Sequence, residues 1–195
     1  MIRSHARLPL SAWALCVLGT APVVAGTRPE VPVTVQDADL AERLFRSGER
    51  AHAARSYKEA LDTWAQLLQS APKSDQAAQA LLALARHQLS VEGKPEAALP
   101  HLDRIKAEHM KSSVAAEALV LRGEILAQLA RRAGDLKDAV AEFNRVLDLF
   151  PDHPAASDAL LGLGRAARDQ AQWGSALSRI MEAYRVAPEG PQAAS

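Results

Sequence analysis

Aromatic side chains, cysteine and net charge are all scarce in this sequence, and each shortage removes a class of function. Phe, Trp and Tyr make up 4% of the 195 residues, and 23 basic side chains balance 23 acidic ones. A chain without net charge has no general attraction for nucleic acid or for an anionic membrane surface. The sequence therefore predicts no nucleic-acid partner.

The only cysteine, Cys16, lies in an N-terminal segment with the features of a secretory signal. Residues 1–25 begin with Arg3 and Arg7, continue with an apolar run broken by two prolines, and end in Val-Val-Ala. This pattern predicts export to the periplasm with cleavage after Ala25. Because the run is short and interrupted, a membrane-anchored form is the less favoured alternative, and no membrane span is expected after cleavage.

Cys16 also raises the question of a lipid anchor. Bacterial lipoprotein signals carry a small residue directly before the cysteine, whereas Leu15 stands here. Cleavage without lipidation is therefore preferred, and lipidation is the minor alternative. The cleaved chain has no cysteine, so it can form no disulfide, thiolate metal site or cysteine nucleophile.

Two short segments flank the part of the chain that carries a repeating pattern. Residues 26–37 contain Pro29 and Pro32 and no apolar residues at helical spacing, which predicts a flexible leader. Residues 189–195 are short and polar and predict a disordered tail. The folded domain is therefore expected over residues 38–188.

One pattern recurs four times within residues 38–188: an alanine, an apolar residue four positions later, and a third apolar residue three positions beyond. The four sets are Ala60, Trp64 and Leu67; Ala98, Leu102 and Ile105; Ala139, Phe143 and Val146; and Ala176, Ile180 and Ala183. Positions i, i+4 and i+7 share one face of an α-helix, so each set predicts an amphipathic helix. We call Ala60, Ala98, Ala139 and Ala176 the repeat alanines.

A second helix-forming segment precedes each set, and the repeat alanines are 38, 41 and 37 residues apart. The expected first helices cover residues 39–54, 75–89, 113–130 and 157–170. Val and Ile are sparse after residue 40, which disfavours strands. The sequence therefore predicts an all-α solenoid of four antiparallel helix pairs.

This pattern resembles the tetratricopeptide repeat over residues 40–188. In that family a small residue of the first helix lies opposite the alanine of the second. Gly48, Gly123 and Gly164 take that place here, and Arg86 stands there in the second copy. The resemblance implies an α–α superhelix that binds other proteins and does not catalyse a reaction.

The phrase FPDHPAASDALLGLGRAA, from Phe150 to Ala167, is similar to bacterial envelope members of the family. These are the periplasmic partner of the Tol–Pal system and the lipoprotein of the outer-membrane β-barrel assembly machine. The chain lacks the N-terminal coiled coil of the first, and Cys16 departs from the lipidation pattern of the second. The resemblance therefore implies only the envelope setting.

Two patterns with catalytic or cofactor associations have simpler explanations. Gly162 to Ala167 fit G-x-G-x-x-A, but no strand precedes them, and the repeat already explains Gly164. The six histidines include no H-E-x-x-H pair. The sequence thus predicts no catalytic residues, no cofactor and no metal, with a hydrolase built from surface His and Asp residues as the distant alternative.

The resemblance also implies a concave groove lined by the first helices, acidic with a basic end. The groove residues that it implies are Glu42, Phe45, Glu49, His52, Ala83, His87, Glu117, Val120, Glu124, Gln128, Leu161, Arg165 and Arg168. A protein or peptide is the expected occupant. The implied function is a scaffold or adaptor of the cell envelope, and the alternative is an accessory subunit of an envelope enzyme complex acting on peptidoglycan or in export.

A second apolar stripe on the last helix consists of Leu177, Met181 and Tyr184. The equivalent stripes of the first and third copies have a following repeat to cover them, whereas residues 189–195 are too short and polar to do so. Large apolar side chains gain roughly 1.5–3 kcal/mol each on burial. We therefore expect a second copy of the chain, as a homodimer through this end, or another protein to cover the stripe.

Overall fold

The computed structural model describes residues 35–133 and 135–186, which contain eight α-helices and no strand. They are α1 (Val35–Ala53), α2 (Tyr57–Ser70), α3 (Asp75–Ser90), α4 (Pro95–Glu108), α5 (Ala115–Ala133), α6 (Lys137–Leu149), α7 (Ala155–Asp169) and α8 (Trp173–Val186). The predicted signal at residues 1–25, most of the leader and the tail at 189–195 lie outside the described residues. The predicted all-α solenoid is confirmed.

The leader is shorter than the sequence predicts, because α1 begins at Val35, inside the segment 26–37. Residues 33–37 contain no proline, so none of them prevents the helix from beginning before residue 38. The difference moves the start of the helical domain and leaves the rest of the repeat unchanged.

The helices pack as four consecutive hairpins, α1 with α2, α3 with α4, α5 with α6 and α7 with α8. Each second helix also packs against the first helix of the next hairpin, α2 on α3, α4 on α5 and α6 on α7. All four repeat alanines are buried, as the i, i+4, i+7 pattern predicts. The apolar faces form three core clusters in succession, shared by α1 to α3, by α3 to α5 and by α5 to α7.

Close helix contact explains the small residues of the first helices. A Cβ on Gly48 would lie only 2.4 Å from Trp64 Nε1, and one on Gly123 would lie 2.7 Å from Phe143 Cε1. The second copy differs from the prediction: Ala85 is fully buried, and the neighbouring Arg86 is exposed. The connection between α3 and α4 is one residue longer than that between α1 and α2. Counting back from Ala98 by the spacing found in the first copy therefore gives Arg86, one residue after the true position at Ala85.

The three described turns within hairpins share one backbone conformation. Arg55, Gly93 and Ala171 each lie five residues before a repeat alanine, and their φ angles are 59°, 64° and 58°. These left-handed values suit glycine, whereas an L side chain is strained there. The repeat thus imposes its turn geometry on Arg55 and Ala171 as well.

Charged side chains hold the junction between the second and third hairpins. Glu142 of α6 is 5% exposed, and its Oε1 lies 2.5 Å from Lys106 Nζ of α4 and 2.9 Å from Arg122 Nη1 of α5. Arg122 Nε also donates to Asp103 Oδ1 at 2.7 Å. This network links three helices, and the sequence analysis did not foresee it.

The first hairpin presents a charged outer face. At the position five residues before the small residue of each first helix, α3, α5 and α7 have Ala80, Ala118 and Ala159, all at most 2% exposed. The equivalent residue of α1 is Arg43, whose side chain is 70% exposed. Arg46, three residues further on, is exposed too. The outer face of α1 is therefore charged, where the equivalent faces of α3, α5 and α7 are small, apolar and buried.

Candidate functional site

A cavity of about 660 Å³ opens between α1, α3 and α5. Five of the predicted groove residues line it: Phe45, Glu49, His52, Ala83 and Glu117. Trp64, Leu82 and Val114 add apolar surface to its wall. We call this space the groove cavity; it is lined mainly by first helices, as the resemblance implies.

His52 is held in the groove cavity by aromatic neighbours. Its ring centroid lies 5.2 Å from that of Tyr57 and 5.5 Å from that of Trp64, and its Nε2 is 3.2 Å from His87 Nδ1. His87 itself is 3% exposed, and its Nε2 lies 3.5 Å from a carboxylate oxygen of Glu92. His87 therefore supports His52 from behind instead of facing a partner, because the helix buries it at the hairpin junction.

Charges in the groove cavity are largely compensated. Arg86 Nη2 donates to Glu117 Oε2 at 2.7 Å, which joins α3 to α5. Glu42 lies outside the cavity, where it accepts a hydrogen bond from Gln76. That bond, followed by the one from Arg46, holds the pKa of Glu42 below its ordinary value. The expected acidic character is therefore weaker than the sequence alone implies.

Three of the remaining predicted residues belong to a second site and do not extend the groove cavity. Glu124, Gln128 and Arg165 line a cavity of about 320 Å³ between α5 and α7. Arg165 Nη1 lies 3.6 Å from Glu124 Oε1, and burial raises the pKa of that Glu124 carboxyl. The implied groove is therefore divided into two cavities.

Three further predicted positions lie outside both cavities. Val120 is 7% exposed, so it belongs to the core, because its side of α5 packs against α6 and α7. Leu161 is half-buried. Arg168 pairs with Asp169 at 2.9 Å, so both arginines of the predicted basic end have an acidic neighbour.

The stripe predicted on the last helix is exposed. Leu177, Met181 and Tyr184 are 61%, 59% and 68% exposed. Trp173 extends the stripe by one turn and is 67% exposed, although its place at the turn suggests a packing aromatic. Its equivalent in the third hairpin, Leu136, is 6% exposed. The difference arises because among the described residues no helix follows α8. We call Trp173, Leu177, Met181 and Tyr184 the α8 stripe.

Two further properties of the described residues concern metal binding and membrane insertion. In residues 35–133 and 135–186, no group of three or more His, Cys, Asp or Glu side chains is placed to hold a metal ion. None of the eight helices has both the length and the apolar character to cross a membrane.

Comparisons with known proteins agree with the fold. The family model described as tetratricopeptide repeat matches residues 116–189. No curated protein matches the chain. A crystal structure of MamA has a TM-score of 0.58 at 17% identity, covering 76% of this chain and 79% of that one, a likeness that shows the fold alone. The tetratricopeptide repeat model thus covers α5 to α8, and the structural likeness shows a fold of the same kind over more of the chain.

Proposed function

We propose that the chain is a protein–protein interaction scaffold of the bacterial cell envelope, with a peptide or protein segment held in the groove cavity. The tetratricopeptide fold suggests an interaction scaffold in general, and proteins with this repeat are generally non-catalytic. The observation that carries the proposal is the cavity itself, about 660 Å³ between three helices. Stacked helix pairs create such concave binding surfaces.

The lining of the cavity fits a peptide with both apolar and polar side chains. Phe45, Leu82 and Val114 offer apolar contact, and His52 and Glu49 offer polar atoms beside it. Sites of this composition bind through apolar burial, and the few polar groups fix the orientation of the ligand. The hydrogen bond between His52 and the buried His87 holds the His52 imidazole in position before a ligand arrives.

A paired substitution tests the groove. We expect Phe45→Asp to abolish capture of partner proteins by photo-crosslinkers placed at Glu49 and Ala83, which line the cavity. Leu149→Asp is the matched control, because Leu149 is an apolar side chain 54% exposed on α6, away from the cavity. Both crosslinkers should capture the same protein. The proposal would be contradicted if the Phe45→Asp and Leu149→Asp chains captured partners equally well while both kept a native circular dichroism spectrum.

The envelope setting rests on the signal-like pattern of residues 1–25 and on the resemblance of residues 150–167 to envelope proteins. Mass spectrometry of the protein from its own cells should find Gly26 at the N-terminus, in the periplasmic fraction. An intact Met1, or a lipid on Cys16, would contradict cleavage after Ala25.

An accessory subunit of an envelope enzyme complex is the second candidate. It shares the groove and differs in what the groove binds. Identification of the proteins crosslinked at Ala83 distinguishes the two, because an accessory subunit would capture an enzyme of peptidoglycan or export. We also propose that the open end at α8 is an interface, with a second copy of the chain as its occupant.

A further inference from the structure

Exposed apolar side chains are concentrated on one helix of the described chain. Eight large apolar residues are exposed among the described residues. Five of them, the α8 stripe and Val186, lie on α8. Scattered single exposures are normal for a soluble protein, whereas a contiguous patch marks an interaction surface. The stripe at positions 173, 177, 181 and 184 is contiguous, since these positions follow one another on one helix face.

The same face is already an interface elsewhere in the chain. Leu61 and Leu68 of α2 occupy the positions of Leu177 and Tyr184, and they are partly buried in the core where α2 meets α3. Val140 and Leu147 of α6 do the same where α6 meets α7. The α8 stripe therefore corresponds to the helix face that packs between hairpins elsewhere in the chain. The element that fits such a face is another helix.

The first helix of a second copy does not suit this place. Head-to-tail stacking would lay the outer face of α1 on α8, and that face carries Arg43 and Arg46, both exposed. Arg43 pairs with Asp39 and Arg46 with Glu42, on α1 itself. Pressing these ion pairs against an apolar stripe would remove them from water without new polar partners, which is unfavourable.

The stripe is instead nearly symmetric about its own midpoint. Trp173 and Tyr184 lie equally far along the helix from the point between residues 178 and 179. Leu177 lies about two residues before that point, and Met181 lies about two residues after it. Two copies of α8 placed antiparallel therefore bring Trp173 against Tyr184 of the second copy, and Leu177 against Met181 of the second copy. Aromatic pairs form at both ends, and no charged side chain belongs to the stripe.

We propose that two copies of the chain pair through antiparallel α8 helices about a two-fold axis. This inference rests on the proposed use of the open end as an interface. A two-fold interface uses the same patch on both copies and closes after two. Covering the stripe removes on the order of 500 Å² per copy, or about 1,000 Å² in the pair, which reaches the lower range of specific interfaces. We expect a dimer that dissociates on dilution.

Sedimentation of the natively processed chain over a range of concentrations tests the pairing. The unaltered chain and the Leu149→Glu control should both be dimeric at high concentration, and Leu177→Glu should be monomeric. Leu149 and Leu177 are 54% and 61% exposed, so the two changes disturb the fold to a similar small extent. A monomeric unaltered chain would overturn the proposal, and so would assemblies that keep growing beyond two copies.

Disulfide trapping tests the direction of the helices. In the antiparallel pair, residue 173 of one copy is roughly 16 Å along the axis from residue 173 of the other, too far for a disulfide. A mixture of Trp173→Cys and Tyr184→Cys chains should form the 173–184 bond, identified by mass spectrometry. A 173–173 bond in the single variant would refute the antiparallel arrangement. Because Phe45→Asp should leave the dimer intact, failure of the groove and failure of the pairing are distinguishable.

Discussion

Neutralising Glu142 offers the sharpest test of how the second and third hairpins are held together. Its carboxylate contacts Lys106 and Arg122, whose side chains are 27% and 18% exposed. Removing one partner of a fully buried pair costs about 3–5 kcal/mol. Here Arg122 keeps Asp103 and Lys106 retains some access to water, so we expect Glu142→Gln to lower the free energy of unfolding by about 2–3 kcal/mol.

Urea denaturation followed by circular dichroism measures this loss without adding salt that would screen the charges. Asp103→Asn is the matched control, because Asp103 contacts the same Arg122 at 2.7 Å but its side chain is 54% exposed. The control should lose less than about 1 kcal/mol, as exposed ion pairs do. Equal losses in the two variants would refute the argument that burial gives Glu142 its weight.

Three further predictions concern packing, the turns and pH. Gly162→Ala should destabilise the chain by about 1–3 kcal/mol in thermal melts, because a Cβ there would lie 2.5 Å from the aromatic ring of Phe143. Gly174 has open space around it, so Gly174→Ala should be neutral or stabilising by about 0.5 kcal/mol. Ala171→Gly should stabilise, and Gly93→Ala destabilise, by about 1 kcal/mol each, since both turns are left-handed; changes of the same sign would contradict this. Burial lowers the pKa of His109, so the unfolded chain binds the proton more readily and stability should fall as the pH drops below about 6.5; the fall should be smaller in His109→Gln.

The sequence predicts the core well because burial follows a local period. Trp64, Phe143 and the repeat alanines are buried where the i, i+4, i+7 rule places them. The close approach at Gly48 and Gly123 is also predictable, since the repeat puts a large residue opposite each glycine. The first glycine of the G-x-G-x-x-A phrase has a similar origin, because Gly162 faces Phe143 across the junction of the third and fourth hairpins.

The errors arise where a position depends on loop length or on distant residues. Arg86 is misassigned because the α3–α4 connection has one extra residue, which a fixed offset ignores. The same shift of one residue assigns His87 to the groove, whereas the structure buries it. The network of Glu142 joins residues more than 30 positions apart. A signal for it exists, however, because Asp103 and Lys106 occupy stripe positions that are apolar in α8.

The contrast between the two outer faces has a consequence for building longer versions of this protein. A hairpin fused behind α8 would find apolar side chains at Leu177 and Tyr184, the positions that pack against the core where α2 meets α3 and where α6 meets α7. A hairpin fused ahead of α1 would meet Arg43 and Arg46 and would first require their replacement. Synthetic elongation of the solenoid is therefore directional. New hairpins can be added after α8 without changing its surface, whereas addition before α1 requires substitutions in α1.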